Sequence, residues 1–386
     1  GLKLLKIDGL LSVGQMIETF TVDSIVSGIS AGFTVGTSDE SGISGGFIGE
    51  CISGRARNTK ISNLKSVTAS ETSGKAGGFV GYAKAGDALA NAGDSVTSSG
   101  LPAGIEIENL LGVVSALRPE FNNTSIDYVS AADMAGGFVG DGQAVDVNYG
   151  NNNSGFTEDA VDSTDTEAFT SDTDSESEGF SSGETYASDE SDGVKTGDVA
   201  TTTITGLSYV KGNSYAGGFA GRLMPGDVAQ TGSVKLLGLL NVTQLLSVMD
   251  VAYPRISDSG IEGNDLKVTA SGKNGDVAIG DAGGYIGNGK AVIVKNSNVT
   301  NVKEITAPYH AGGYIGIMRS GSAVEAGDAT GDLLNSVLGK ILNLKELASV
   351  LQAASSKITN CKVSGITNGM TVTAESGMAN AEGYAG

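Results

Sequence analysis

Tryptophan is absent from this chain of 386 residues, histidine occurs once, cysteine twice and proline five times. A single histidine, His310, excludes any metal site built from several imidazoles and leaves one candidate base for a Ser-His-Asp or Cys-His arrangement. Two cysteines cannot make a disulfide framework. If the chain is one stacked array, Cys51 and Cys361 stand about ten strand spacings apart, too far for a bridge whose Cα atoms must lie within about 7 Å. Both are then read as inert thiols, Cys361 as a small hydrophobe in a strand. Aromatic residues make up only 5% of the chain, so a core of large rings is excluded. Bases number 24 against 44 acids, a net charge of −20, which argues against a nucleic-acid partner or an anionic membrane surface. No run approaches the roughly 18 apolar residues of a membrane span, and no signal peptide opens the chain.

What abounds is glycine, 59 residues, arranged in one recurring hexapeptide. SGGFIG (44–49), AGGFVG (76–81), AGGFVG (135–140), AGGFAG (216–221), AGGYIG (282–287) and AGGYIG (311–316) are six copies, and AEGYAG (381–386) reads as a seventh. Self-similarity of this kind marks a repeat architecture before anything else. The aromatics Phe47, Phe79, Phe138, Phe219, Tyr285, Tyr314 and Tyr384 are separated by 32, 59, 81, 66, 29 and 70 residues. Short and long steps alternate once the third is discounted for an acidic stretch that interrupts a short one. The unit is thus a short arm plus a long arm, about 95 residues in all: spans 47–138, 219–314 and 285–384 are 91, 95 and 99 residues.

The long arms carry a Gly-Asp turn (Gly86-Asp87, Gly226-Asp227, Gly327-Asp328) and then a leucine-rich segment starting at Ile105, Val234 or Asp332. Leu334, Leu338, Ile341, Leu342 and Val350 fall near one helical face, so each long arm is expected to hold one amphipathic helix, with residues 2–20 a further example. The segments 60–70, 201–210, 291–305 and 357–374 are rich in Val, Ile and Thr, with Asn and Gly between runs, and read as short strands joined by turns that tolerate positive φ. Hairpin signals are missing. The expected fold is therefore mainly β, a parallel β-helix of Gly-Gly-aromatic rungs with one helical excursion per composite repeat; a β-propeller is the alternative. In such a rung the aromatic and the residue after it would alternate faces, one of them stacking in the core. One elongated domain is expected, divided as a partial unit (1–49), a short plus long arm (50–140), an acidic low-complexity insertion (141–200), the rest of a short arm plus a long arm (201–287) and a final short plus long arm (288–386). The chain is expected to begin within a long arm and to stop on a broken rung, as a piece of a longer protein.

Between Asp141 and Ala200 there are 16 acids and one base, Lys195. This stretch buries too little apolar surface to offset its ordering entropy. Two readings stand: a solvated acidic loop, or a loop ordered by calcium through Asp162, Asp165, Asp172, Asp174, Glu176 and Glu178. No DxDxDG loop occurs. Calcium apart, no cofactor is expected.

The glycine clusters lack the strand, turn, helix and downstream acid of a dinucleotide site, and no GxxxxGK[ST] is present. His310 immediately precedes a hexapeptide, in a slot that holds Ile43, Lys75, Met134, Tyr215 and Asp281 in the other copies; such variety points to surface or packing rather than catalysis. Recurrent Asp residues sit in turns, so no catalytic residue is assigned and the chain is not expected to be an enzyme. Sequons occur at Asn122, Asn123, Asn152, Asn241 and Asn298.

With the hexapeptides and their strands set out, the chain resembles the GLUG-type repeats of bacterial cell-surface proteins, which pair a Gly-Gly-aliphatic-Val-Gly element with a downstream Ile-x-Asn-Cys strand. KITNCKVSGIT from Lys357 is the nearest match; Phe or Tyr replaces the leucine of the motif. The resemblance implies an exported, extracellular structural role as stalk, filament or adhesin at a microbial surface, and supplies no catalytic residues. The expected partners are neighbouring repeats, or a further copy stacked end to end. A glycan- or host-protein-binding module is the alternative, and a polysaccharide-acting enzyme a more distant one.

Overall fold

The structure, a computed structural model, describes residues 21–22, 25–27, 33–37, 42–69, 75–85, 118–129, 135–149, 200–226, 252–274, 277–321, 355–375 and 384–385. The described chain is mainly β, parallel strands in curled sheets. A fourteen-stranded sheet takes the long β-branched strands, a six-stranded sheet the strands that follow each hexapeptide, and smaller sheets the start of the hexapeptides themselves. After each hexapeptide the chain enters the six-stranded sheet, crosses to the large sheet and reaches the next hexapeptide one strand further along. We call each such passage a tier. Among the described strands the one antiparallel pair is Lys273–Asn274 with Val277–Ala278. Blades of a propeller are antiparallel meanders, so that alternative does not fit.

Successive tiers place like on like. In the large sheet Ile61, Ile126, Ile204, Ile261, Val299 and Val363 are in register, each directly opposite the next. The first five are buried, and burying an aliphatic side chain of this size contributes roughly 1.5–3 kcal/mol. Strands of nine to fourteen residues carry the first five of these positions, and Val363 lies in the four-residue strand Lys362–Gly365. Glu120–Tyr128 and Ser259–Ala270, which lie in the long arms, are strands despite their charged residues and glycines, because their inward positions are apolar.

Three recurrent corners bend the chain, and left-handed residues make them. Ser53, Ala144 and Ala291 (φ 55°, 52° and 52°) turn the six-stranded sheet into the large one in the short arms. Asn58, Asn123, Asn148, Asp258, Asn296 and Asn360, all with φ between 47° and 57°, form the second corner, and Asn63, Gly206, Asp265 and Asn301 the third, where the strand registers shift. Asn and Asp tolerate this region better than other side chains. At the second corner they also bond tier to tier: Asn123 donates to Asn58 (2.8 Å), Asn296 to Asp258 (3.0 Å) and Asn360 to Asn296 (2.8 Å).

The two arm types differ at one corner alone. From the six-stranded to the large sheet, the chain crosses in two residues at 53–54, 144–145 and 291–292, and in a long segment after Lys84, Met224 and Arg319. The three leucine-rich segments, and residues 2–20, lie outside the described residues. So do residues 150–199, which leave from the left-handed corner at Asn148.

The hexapeptide is a bend, not a straight rung. In the second copy Ala76–Gly77 pairs in one sheet and Val80–Lys84 in another, with Gly78 and Phe79 at the turn between them. A Cβ on Gly77 would run into the carbonyl oxygen of Val80, and one on Gly78 into the carbonyl of Gly137 in the next tier. The first glycine permits the fold-back and the second the close stacking. Because the backbone turns there, Phe79 and Val80 both point inward and both are fully buried. The expected alternation of faces is thus corrected.

Candidate functional site

The aromatics of the six full hexapeptides form one ladder. Phe47, Phe79, Phe138, Phe219, Tyr285 and Tyr314 stack with ring centroids 4.9–5.1 Å apart and interplanar angles of 4–28°. Phe121 packs edge-on against Phe79 and Phe138, at 5.6 and 5.8 Å. The four inner rings are inaccessible to solvent, while Phe47 and Tyr314 at the ends are partly buried. Tyr384 is not in this column. Its backbone pairs with His310, and Ala385 with Ala311, which sets Tyr384-Ala385 in the frame of Tyr215-Ala216. Tyr384 therefore takes the slot before a hexapeptide, four residues out of the frame expected of it.

Since each hexapeptide bends, the residue before it and the residue after it meet on one outer face. Lys75 Nζ lies 3.7 Å from the centre of the Tyr82 ring, and the Arg222 guanidinium 5.2 Å from that of Tyr215. Arg222 reaches across to the adjacent tier and grips Asp141 with two bonds, Nε at 2.9 Å and a second nitrogen at 2.5 Å. Asp141 is fully buried. Although burial acts against the charged guanidinium, the bonds and charge of Asp141 outweigh it and raise the Arg222 pKa. Further along, Asn288 donates to Asp281 (2.7 Å), Asp281 bonds His310 Nδ1 (2.7 Å), and Arg319 donates to Asn288 (2.9 Å). His310 is thus held in a tier-to-tier contact of the same type as Arg222–Asp141. Of the varied residues at its slot, Lys75, Tyr215, Asp281 and His310 each meet a polar or aromatic partner.

A second polar cluster lies where the long arms rejoin the large sheet. Arg118 and Asp146 form a buried ion pair at 3.3 Å, and Arg118 also donates to the carbonyl of Tyr253 at 3.2 Å. Glu120 stands in register between Arg55 and Asp146. Burial raises its pKa first, Arg55 opposes that, and Asp146 adds to it.

Cys51 is buried, and its thiol is pushed up to about 11 by desolvation. Cys361 is half-buried; both are free. They stand at opposite ends of the array, about five strand spacings apart and not ten, still near 24 Å and beyond bridging. The calcium candidates Asp162, Asp165, Asp172, Asp174, Glu176 and Glu178, and the sequons at Asn152 and Asn241, lie outside the described residues. Among the described residues no group of three or more His, Cys, Asp or Glu is placed to hold a metal ion, and no helix is long and apolar enough to cross a membrane.

Sequence reasoning singled out the seven aromatics as a structural repeat and did not single out the flanking strip. Its signal was the fixed offset of seven residues between paired flanks, Lys75 with Tyr82, Tyr215 with Arg222 and Asp281 with Asn288. Comparison with family models, with curated proteins and with solved structures gives no match to this chain.

Proposed function

We propose that this chain is a load-bearing segment of an extracellular repeat protein, coiled as a parallel β-helix and serving as stalk, filament or adhesin at a microbial cell surface. The observation that carries the reading is homotypic stacking: ring on ring, isoleucine on isoleucine and asparagine on asparagine, one strand spacing per tier over the whole described array. Such an array has no preferred length, and it can be extended by neighbouring repeats without a new kind of contact. The likeness of KITNCKVSGIT to GLUG-type strands adds to it, since the Asn-Cys pair occupies the left-handed corner where Asn-Thr and Asn-Ser stand in other tiers.

A stalk should be long and stiff. Electron microscopy and small-angle scattering of the purified chain are expected to give a rod whose cross-section stays constant along its length; a compact particle would overturn the reading. Antibodies raised against the chain should label intact cells of the source organism, and labelling only after lysis would remove the cell-surface part of the proposal.

A further inference from the structure

Facing the ring ladder across the interior is a second column. Thr59, Thr124, Thr202, Ser259, Ser297 and Cys361 occupy one register position in successive tiers of the large sheet. The five hydroxyl residues are buried, none more than 4% exposed. Five of the six positions directly follow a left-handed corner residue; Thr202 comes instead after the acidic insertion. Thr59, Ser297 and Cys361 close that corner by donating to the carbonyl two residues earlier, at 2.9, 2.8 and 3.3 Å.

At the five described hydroxyl positions the identity of this residue tracks the ring of its own tier. Thr59, Thr124 and Thr202 belong to the tiers of Phe79, Phe138 and Phe219, whereas Ser259 and Ser297 belong to those of Tyr285 and Tyr314. In the serine tiers the ring hydroxyl is received: Tyr285 Oη lies 2.5 Å from Ser259 Oγ, Ser259 Oγ lies 3.0 Å from Ser297 Oγ, and Tyr314 donates to the Ser297 carbonyl at 2.8 Å. In the phenylalanine tiers the ladder ring carries no hydroxyl; Thr124 and Thr202 bond each other at 3.0 Å, and Thr202 also receives Asn148 at 2.9 Å. Threonine exceeds serine by one methyl group, and tyrosine exceeds phenylalanine by one oxygen. In a closed interior each extra heavy atom needs the space the other would take.

The geometry points to the hydroxyl column as the determinant of which aromatic each tier accepts: threonine selects phenylalanine by filling the para position, and serine selects tyrosine by vacating it and supplying a partner. The two halves of a tier, corner and hexapeptide, are then matched parts. A hexapeptide can be moved between tiers only together with its corner residue. This inference stands apart from the role proposed above, because it concerns how the array is specified, whatever the array does.

Two double-mutant cycles in the full 386-residue chain test it, read as the urea dependence of unfolding. In the first, Ser259→Thr crowds the phenol and Tyr285→Phe removes the phenol bond of Ser259, leaving it Ser297 alone, and each is expected to raise the unfolding constant about tenfold. The pair S259T/Y285F rebuilds a Thr/Phe tier and should return to within about threefold of the parent, a coupling between residues in contact. The second runs in the opposite direction: Phe219→Tyr alone should destabilise about tenfold, and T202S/F219Y should recover. Rescue in either cycle supports the matching rule. Additive losses in the doubles would overturn it, and so would an F219Y variant as stable as the parent. If S259T does not yield soluble protein, the Thr202/Phe219 cycle decides alone, since its serine variant only removes a methyl group.

Discussion

Truncating a ring in the middle of the ladder should harm this protein far more than truncating one at its end. Phe138 is fully buried, stacks on Phe79 and Phe219 at 4.9 Å each, and receives the edge of Phe121. Replacing it by alanine removes the side chain and leaves a cavity, a change that costs about 3–5 kcal/mol in a closed core. The lost stacking pairs, at about 0.5–1.5 kcal/mol each, place it at the upper end of that range. Phe47 is only partly buried and has one ring neighbour, Phe79, at 5.1 Å, so Phe47→Ala should cost about 1–2 kcal/mol. In a stacked array stability is a sum of tier terms and nearest-neighbour interfaces, and Phe138→Ala weakens two interfaces where Phe47→Ala weakens one. Thermal unfolding followed by circular dichroism should show a drop on the order of 10 °C for the central variant. Amide hydrogen exchange should locate the loss in the strands Val80–Lys84, Val139–Gln143 and Ala220–Met224. Equal losses for the two variants, or less than about 1 kcal/mol at Phe138, would refute the claim that the stacked rings hold the tiers together.

Other expectations follow from the polar contacts. Arg222→Met leaves the fully buried Asp141 carboxylate without its two bonds and should cost about 3 kcal/mol, the lower end for a broken buried pair because Arg222 is 32% exposed; R222M/D141L should recover most of it in urea denaturation. Tyr215 and Tyr253 are pushed up to about 12 by burial, and Tyr128 well above its usual 10. The native state therefore holds protons that the unfolded chain releases. These phenols leave stability unchanged below pH 10 and lower it as pH rises from 10 through 12, by as much as about 1.4 kcal/mol per pH unit for each tyrosine; stability rising over that range would contradict their burial. Native protein treated with iodoacetamide at pH 8 should be alkylated at Cys361 while Cys51, buried with its thiol raised to about 11, reacts only after unfolding, as peptide mass mapping will show.

Much of this architecture was legible in the sequence because repetition makes it so. Six copies of one hexapeptide, each with its aromatic, announced a stack of like on like. The alternating step lengths separated tiers with a two-residue crossing from tiers with a long one, and even the acidic insertion could be assigned to a short arm. What stayed hidden needed three dimensions. The fold-back at the paired glycines turns Phe79 and Val80 to the same side, which a straight-strand reading cannot give. Glu120–Tyr128 escaped notice because charged outward residues mask its inward Phe121, Ile126 and Tyr128. The pairing of Arg222 with Asp141 joins residues 81 apart in sequence, and emerges only once register is known. Register also separates Tyr384 from the ladder: AEGYAG matches the other hexapeptides by letter, yet its strand pairs four residues away from that alignment. The agreement of Thr with Phe and of Ser with Tyr was written in the chain throughout, but the two columns are unrecognisable as partners until the tiers are laid side by side.

The alternation of short and long crossings has a geometric corollary. Strands in neighbouring tiers are about 4.8 Å apart, so anything grafted at the same corner of every tier would have to be no thicker than a strand. Long crossings occur at every second tier, which puts their points of departure about 9.6 Å apart. That is the distance at which two α-helices pack side by side, about 8–10 Å. The spacing rule of this chain, one long crossing after each short one, thus gives every long crossing the width of two strands at its point of departure.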